Sequence, residues 1–411
     1  MPSVNLEFDV IVVGGGPAGL FCAIHSTGEV RKVLILEKKA SCGRKLLITG
    51  SGQCNLTHEG EMASFLSHYG AGKRFLRPAL MNFTNDDLVD FFTCRGVSFE
   101  TDKNGKIFPS TKKASDILSV LLRECDEKGV MIRCGEPVLS VEKDREVFIV
   151  KTAMGNYSAK NLVISTGGAS YPQTGSSGDG YKIAESLGQP VTEIAPALAP
   201  VYPRAYLFGE LSGISFEDAR VSLFRQNKKI GEHTGDILLT HKGLSGPGIL
   251  DFSGSICSGD ILKISFVTGM NPEEFRNDFT QKTNSGNIKL VKTILSEYSL
   301  PERFVRKIIE LSGIQSDLTC AHLSKKERNL LIKNLTEYSF EVRELGGFSE
   351  AMVTRGGIAL EGINPKTMES KIVPGLYFTG EVLDIDGDTG GYNLQAAFST
   401  GFLAAKRICI D

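Results

Sequence analysis

The most constraining feature of this chain is a strand, a glycine turn and a helix within its first forty residues. Phe8–Val13 (FDVIVV) is a continuous apolar, β-branched run, the pattern of a strand buried on both faces of a parallel sheet. Gly14-Gly15-Gly16-Pro17-Ala18-Gly19 follows, then a helical stretch over Pro17–Thr27 and a second strand at Val33–Leu36 (VLIL). The turn satisfies G-x-G-x-x-G, and Glu37 closes the second strand 23 residues after Gly14. In that β-α-β context the six residues are a dinucleotide-binding fingerprint, which they are not alone. Gly14 permits the tight turn, Gly16 lets the backbone approach a pyrophosphate, and Gly19 lets helix and strand pack closely. The helix start offers free N–H groups and the positive end of its dipole to the diphosphate. Glu37 can accept hydrogen bonds from ribose hydroxyls.

Glycine is in excess, at 45 of 411 residues, about 11% against roughly 7% in proteins generally. Thirty-five of the 45 fall in four stretches, 1–60, 165–188, 209–259 and 346–401. A long cofactor held by several loops accounts for clusters so far apart; ordinary turns are the plain alternative for each cluster but the first. The stretch 209–259 is not explained by a nucleotide and is where the substrate side of the site is expected.

Later glycines favour FAD over NAD. Leu162–Gly168 (LVISTGG) and Leu376–Glu381 (LYFTGE) are strands ending in glycine turns, and Gly390-Gly391-Tyr392-Asn393 opens a last helix that runs to about Arg407. A returning C-terminal strand and helix would place backbone donors beside the ribityl and ring end of FAD. No second G-x-G-x-x-G in a β-α-β setting marks a separate NADPH domain.

Length suggests two or three domains. Other helices are expected over Phe83–Gly96, Ser115–Gly129 and 177–188, and strands over Val138–Lys143 and Val147–Thr152. From Pro196 to Gly269 short β-type runs take over. From Pro272 to about Glu337 a Lys/Glu/Leu pattern predicts helices at Val291–Tyr298, Pro301–Leu311 and Lys325–Leu335, the last with a capping box of Ser324 and Glu327. The fold class expected is α/β: a discontinuous Rossmann-like domain (1–190 and 352–411), an inserted mostly-β domain (191–271 and 336–351) and a small helical subdomain (272–335).

Lys plus Arg number 46 and Asp plus Glu 48, a net charge of −2. Such a balance lacks the cation excess usual for nucleic-acid or anionic-membrane binding, so neither partner is expected. The nine cysteines include no C-x-x-C pair, and no metal site or disulfide framework is expected. The first residues do not read as a signal peptide, and no run of about 18 apolar residues occurs, so a cytoplasmic location follows by default.

Gly43–Thr57 (GRKLLITGSGQCNLT), Thr166–Gly180 (TGGASYPQTGSSGDG), Thr240–Gly248 (THKGLSGPG), Val353–Gly357 (VTRGG), Met368–Lys371 (MESK) and Gly375–Gln395 (GLYFTGEVLDIDGDTGGYNLQ) resemble the BaiN-like, aminoacetone-oxidase-type FAD flavoproteins. The resemblance covers nearly the whole chain, least clearly 272–335. It implies an FAD domain, an inserted barrel-like domain and a helical subdomain, with flavin redox work that includes reduction of carbon–carbon double bonds in bile-acid intermediates and oxidation of small amines. It implies that Gly14, Gly16, Ala18 and Gly19 meet the diphosphate, Glu37 the ribose and Lys38 the adenosine end. Arg44, Lys45 and Leu46 run along the cofactor, and Gly52, Cys54 and Asn55 approach the flavin. Val138 lies near adenine, Thr166 and Gly167 close over the nucleotide, and Gly380, Glu381, Gly391, Asn393 and Leu394 hold the ribityl and ring end. The chain departs from the family at Gln53, commonly Arg, and at His58, often Asn; the first removes a cation from the loop expected near the flavin.

Three residues are candidates for catalysis: Cys54 at the flavin edge, His241 before a glycine-rich turn as a proton donor, and Tyr392 between Gly391 and Asn393. Packing is the plain alternative for each. Cys42 and Cys54, 12 residues apart, are more simply packed thiols than a redox pair. The basic cluster Lys38, Lys39, Arg44 and Lys45 is explained by a cofactor phosphate better than by RNA, because no aromatic residues interleave. The function expected is FAD-dependent hydride transfer to a small organic substrate, namely reduction of a conjugated C=C bond driven by transiently bound NADH or NADPH. The alternatives are an oxygen-using oxidase of a small amine, and an RNA-associated or non-enzymatic flavin-binding regulatory protein.

Overall fold

A computed structural model describes residues 5–28, 30–284 and 288–410. By contact density the chain divides into two compact units, residues 1–197 with 351–411 and residues 198–350.

The first unit is built on a seven-stranded sheet. Asn5–Val13 lies at its centre, parallel to Val33–Glu37 on one side and to Asn156–Ile164 on the other, and Met131–Cys134 extends the sheet in parallel beyond Val33–Glu37. Val10, Ile11 and Val12 are fully buried, as a strand covered on both faces requires. Val138–Asp144 and Val147–Thr152 form an antiparallel extension against Asn156–Ile164. Leu376–Phe378 returns from the far end of the chain to pair in parallel with Leu162–Ile164. The helix Pro17–Ser26 crosses between the first two strands, and Tyr392–Ile408 packs on it. That approach is close: a Cβ on Gly401 would lie 2.6 Å from the Ala18 carbonyl oxygen. Phe21 anchors the joint, with ring centroids of Phe83, Phe91 and Phe398 at 5.0, 4.9 and 5.1 Å. Such aromatic pairs add about 0.5–1.5 kcal/mol each beyond the area they bury.

In the second unit six strands close into a barrel: Val201–Pro203, Leu244–Ser245, Lys228–Leu239, Ser215–Arg225, Ile261–Ser265 and Tyr338–Leu345. The helices that follow share its core. Phe216 and Phe266 of the barrel region pack on Phe304 of the helix Glu302–Leu311, with centroids 4.7 Å away in both cases. The helices over 272–335 fall with the barrel strands in the unit 198–350. Pro272–Lys282 is a helix the residue pattern did not single out, capped by Asn271 and Glu274, and the box of Ser324 and Glu327 forms as expected. The Rossmann-like, barrel-bearing fold class anticipated from the sequence is the one observed. Among the described residues no helix is long and apolar enough to cross a membrane.

The glycine cluster 209–259 falls in the barrel unit, and its buried members serve packing. A Cβ on Gly243 would sit 2.2 Å from the Val201 carbonyl oxygen, and one on Gly248 would sit 2.6 Å from that of Gly235. These are points where two backbones touch.

Candidate functional site

The first unit holds a cleft of about 1400 Å³, open solvent included. It lies across the carboxyl ends of the parallel strands: Val13, Glu37, Ser165 and Thr379, which end or follow four of them, all line it. Ligands of open α/β sheets bind in that crevice.

Its floor is the glycine turn. Gly14 has a φ of +107°, and a Cβ there would lie 2.5 Å from the Ser165 carbonyl oxygen, so only glycine turns the chain between these strands. Gly19 lies under the turn, where a Cβ would be 2.0 Å from the Gly14 oxygen. Gly16 differs: a Cβ there meets no heavy atom within 4 Å. The protein leaves that space open. The helix beginning at Pro17 has no side-chain cap and no acid in its first turn, so its leading N–H groups face the cleft without a side-chain acceptor. Thr379, fully buried in the cleft wall, has a hydroxyl with no hydrogen-bond partner. An open turn, an uncapped helix end and an orphaned hydroxyl along one wall are the fit expected for an anionic dinucleotide such as FAD.

Glu37 is fixed rather than free. Gly15 N donates to its Oε2 (2.8 Å) and Lys39 N to its Oε1 (2.7 Å). A carboxylate offers about four acceptor positions, so two remain for ribose hydroxyls. The basic cluster of the sequence divides. Lys38 pairs with Asp179 and Ser177, and Lys45 with both oxygens of Glu381 at 2.9 and 2.7 Å. Glu381 also accepts from Thr354 N at 3.0 Å. Arg44 lines the cleft, exposed, with no ion-pair partner among the described residues. Distant acids thus neutralise two of the four cations, and Arg44 is left facing the cleft.

Most of the expected contacts come together in this cleft. Gly14, Gly16, Ala18, Glu37, Lys38, Arg44, Lys45, Leu46, Val138, Thr166, Gly167, Gly380, Glu381, Asn393 and Leu394 all line it. Gly19, Gly52, Cys54, Asn55 and Gly391 do not. With its amide oriented to satisfy both neighbours, Asn55 donates to the Thr57 oxygen (3.0 Å) and accepts from Gly391 N (3.2 Å), stitching the two loops together. Of the departures from the family, Gln53 is exposed, and His58 spans the carbonyls of Glu59 and Asn104 at 2.7 Å each. The residue pattern missed Ser41, Thr49, Glu136, Ser176 and Asp179, polar residues on the cleft wall that stand in no fixed relation to the fingerprint.

The catalytic candidates fare differently. Cys54 is fully buried and outside the cleft lining, and burial pushes its thiol up to about 12. Such burial disfavours the thiolate that a role at the flavin edge would need. Tyr392 is 4% exposed, its ring stacked on His68 (4.0 Å) and His58 (5.2 Å) and met edge-on by Phe65 (4.7 Å). It packs behind the cleft rather than facing it. His241 belongs to the barrel unit, exposed on the turn that Thr240 closes through Gly243 N at 3.1 Å.

A dinucleotide cleft completed by a strand and helix from the chain's far end is the construction of the FAD-dependent oxidoreductases, and this enzyme is one of that class. Within it the chain belongs to the HI0933-like family, whose Rossmann domain profile matches residues 8–407. It is 34% identical over 410 residues, 97% of this chain and 98% of the other, to a protein of Escherichia coli K12 named ribosomal RNA dihydrouridine synthase. It is 30% identical over 404 residues, 96% and 97% of the two chains, to the 3-dehydro-bile acid delta(4,6)-reductase of Clostridium scindens, in keeping with the resemblance to BaiN-like flavoproteins. Among solved structures, 3-ketosteroid-delta4-(5alpha)-dehydrogenase from Rhodococcus jostii RHA1 superposes with a TM-score of 0.51 at 15% identity, covering 100% of this chain and 98% of that one. The quinol fumarate reductase subunit FrdA of Escherichia coli gives 0.53 at 14%, covering 99% and 70%. These two share the fold. The expectation that nucleic acid plays no part is left open by the relative named for ribosomal RNA.

Proposed function

We propose that this protein reduces a C=C bond conjugated to a carbonyl, with NADH or NADPH as a transiently bound electron source. The observation that carries the reading is that two whole-length relatives of 34% and 30% identity bear names describing that one chemistry. Dihydrouridine is uridine with the ring C=C saturated, and a delta(4,6)-reductase saturates a conjugated diene. Bound FAD supplies hydride transfer. The chain's own residues position it. The N–H group of Ala18 at the uncapped helix start would hold the diphosphate, Arg44 would add its charge there, Glu37 would take the ribose hydroxyls, and Thr379 would donate its hydroxyl to the cofactor. Glu381, held by Lys45, orders the wall around Gly380. Of the three proton-transfer candidates, His241 alone keeps an exposed position.

A second reading keeps the reaction and places the double bond in an RNA base. The 34% relative favours it, and so does a local feature: Lys73, Arg74 and Arg77 are exposed on the helix Lys73–Asn82, unpaired among the described residues. This helix starts beside Gly72, where a Cβ would lie 3.6 Å from cleft-lining Ile385. Such cations can hold phosphates next to a site without any excess of net charge.

The test is anaerobic mixing with NADH or NADPH, which should bleach the flavin absorbance. Adding a conjugated enone steroid acid, or a ribosomal RNA transcript, should then restore it, with two hydrogens gained by the acceptor. Failure to bleach, with peroxide formed from a small amine instead, would sink the reductase and favour the oxidase.

A further inference from the structure

The Cys42 and Cys134 sulfurs lie 3.9 Å apart, though the residues are 92 positions apart in the chain. The fold holds them as neighbours. Cys134 ends a strand parallel to Val33–Glu37, opposite Glu37 itself. Beyond it, Gly135 N donates to Lys39 O (2.8 Å) and Glu136 N to Glu37 O (3.0 Å), so the segments after both strands are tied together. Cys42 sits between Ser41 and Gly43, which both line the cleft, and a Cβ on Gly15 would be 2.4 Å from its sulfur. That sulfur therefore lies directly under the glycine turn. Glu136 and Val138, just past Cys134, form part of the cleft wall.

We propose that Cys42 and Cys134 are a dithiol–disulfide site, oxidised by a hydroperoxide, that covalently joins two walls of the cofactor cleft. Cys134 is exposed and reacts first: its sulfur attacks the peroxide, the O–O bond breaks, an alcohol or water leaves, and a sulfenic acid remains. Cys42, 4% exposed, is the resolving thiol. Its sulfur attacks that of Cys134, the S–O bond breaks, and water departs with the Cys42 proton. Two thiols and one hydroperoxide give one disulfide, one alcohol and one water, and a thiol reductant reverses the change. Burial, and then the neighbouring Cys134, hold the Cys42 thiol above its usual range, which disfavours it as the first thiol to attack the peroxide. The link would tie the segment carrying Arg44 and Lys45 to the strand preceding Glu136, and so restrain the cleft around FAD.

The test treats the holoprotein with one equivalent of hydrogen peroxide, alkylates free thiols and digests it with trypsin without reductant. Mass spectrometry should find peptide 40–44 joined to peptide 134–143, and dithiothreitol should abolish the join. Cys42→Ser should instead leave Cys134 as a sulfenic acid that dimedone traps, and Cys94→Ser, another exposed thiol, should leave the linked peptide unchanged. Free-flavin fluorescence should report slower FAD release from the oxidised protein. Absence of the linked peptide under conditions that oxidise Cys134, or linkage of Cys134 to a cysteine other than Cys42, overturns the proposal.

Discussion

The two units of this chain use the same residue type for opposite ends. In the barrel unit, Gly243 and Gly248 lie where two backbones touch, and any side chain there would strike a carbonyl. In the cleft unit, Gly14 and Gly19 do the same, but Gly16 faces space that no protein atom fills. Helix ends vary in both units: Pro272–Lys282, Lys325–Thr336 and Asn85–Thr93 have full capping boxes, whereas Glu302–Leu311 and Pro17–Ser26 have no side-chain cap, and of these last two only Pro17–Ser26 opens on the cleft. A fold ordinarily closes such gaps, since uncapped donors and empty space both cost stability. Where both remain together, at the mouth of a cleft, the missing partner is a ligand.

That contrast can be broken at several points. Gly19→Ala should have the largest effect, because its Cβ would fall 2.0 Å from the Gly14 oxygen. It should both destabilise the protein, by at least the ~1–3 kcal/mol of overpacked sites, and lose flavin, read from denaturant unfolding and the flavin-to-protein absorbance ratio. Gly243→Ala, with its 2.2 Å clash against Val201, should destabilise by a comparable amount while the protein retains its flavin. Ser324→Ala removes one capping bond (Glu327 N to Ser324 Oγ, 3.2 Å) and should cost about 0.5–2 kcal/mol with no change in flavin content. If the two barrel variants shed flavin as readily as Gly19→Ala does, the division of roles between the units fails.

Legibility in the sequence follows the same line. Local patterns were readable: the apolar run Phe8–Val13, the glycine turn, Glu37, and the box at Ser324. The strand Leu376–Phe378 and the helix behind it were readable as a return to the first domain because their glycines punctuate them. What the pattern missed depends on long-range pairing. Nothing near Lys38 or Lys45 in the chain announces that Asp179 and Glu381 neutralise them. Cys54 looked accessible beside a glycine loop, yet the fold buries it completely. Tyr392 sits next to Asn393, a cleft residue, but successive helix positions point about 100° apart, and its ring turns to His68 and His58. The barrel glycines read as loop residues, since close contact between two backbones leaves no signature in sequence.

The central claim is that the space before Gly16 belongs to the cofactor. Gly16→Val tests it most directly, because Gly16 is in extended geometry (φ −82°, ψ −179°), which valine adopts readily before proline. Flavin titration of the apoprotein, paired with its denaturant unfolding curve, gives the answer. The account predicts unfolding within about 0.5 kcal/mol of the parent protein and loss of measurable FAD binding. Undiminished FAD binding by that variant would contradict it.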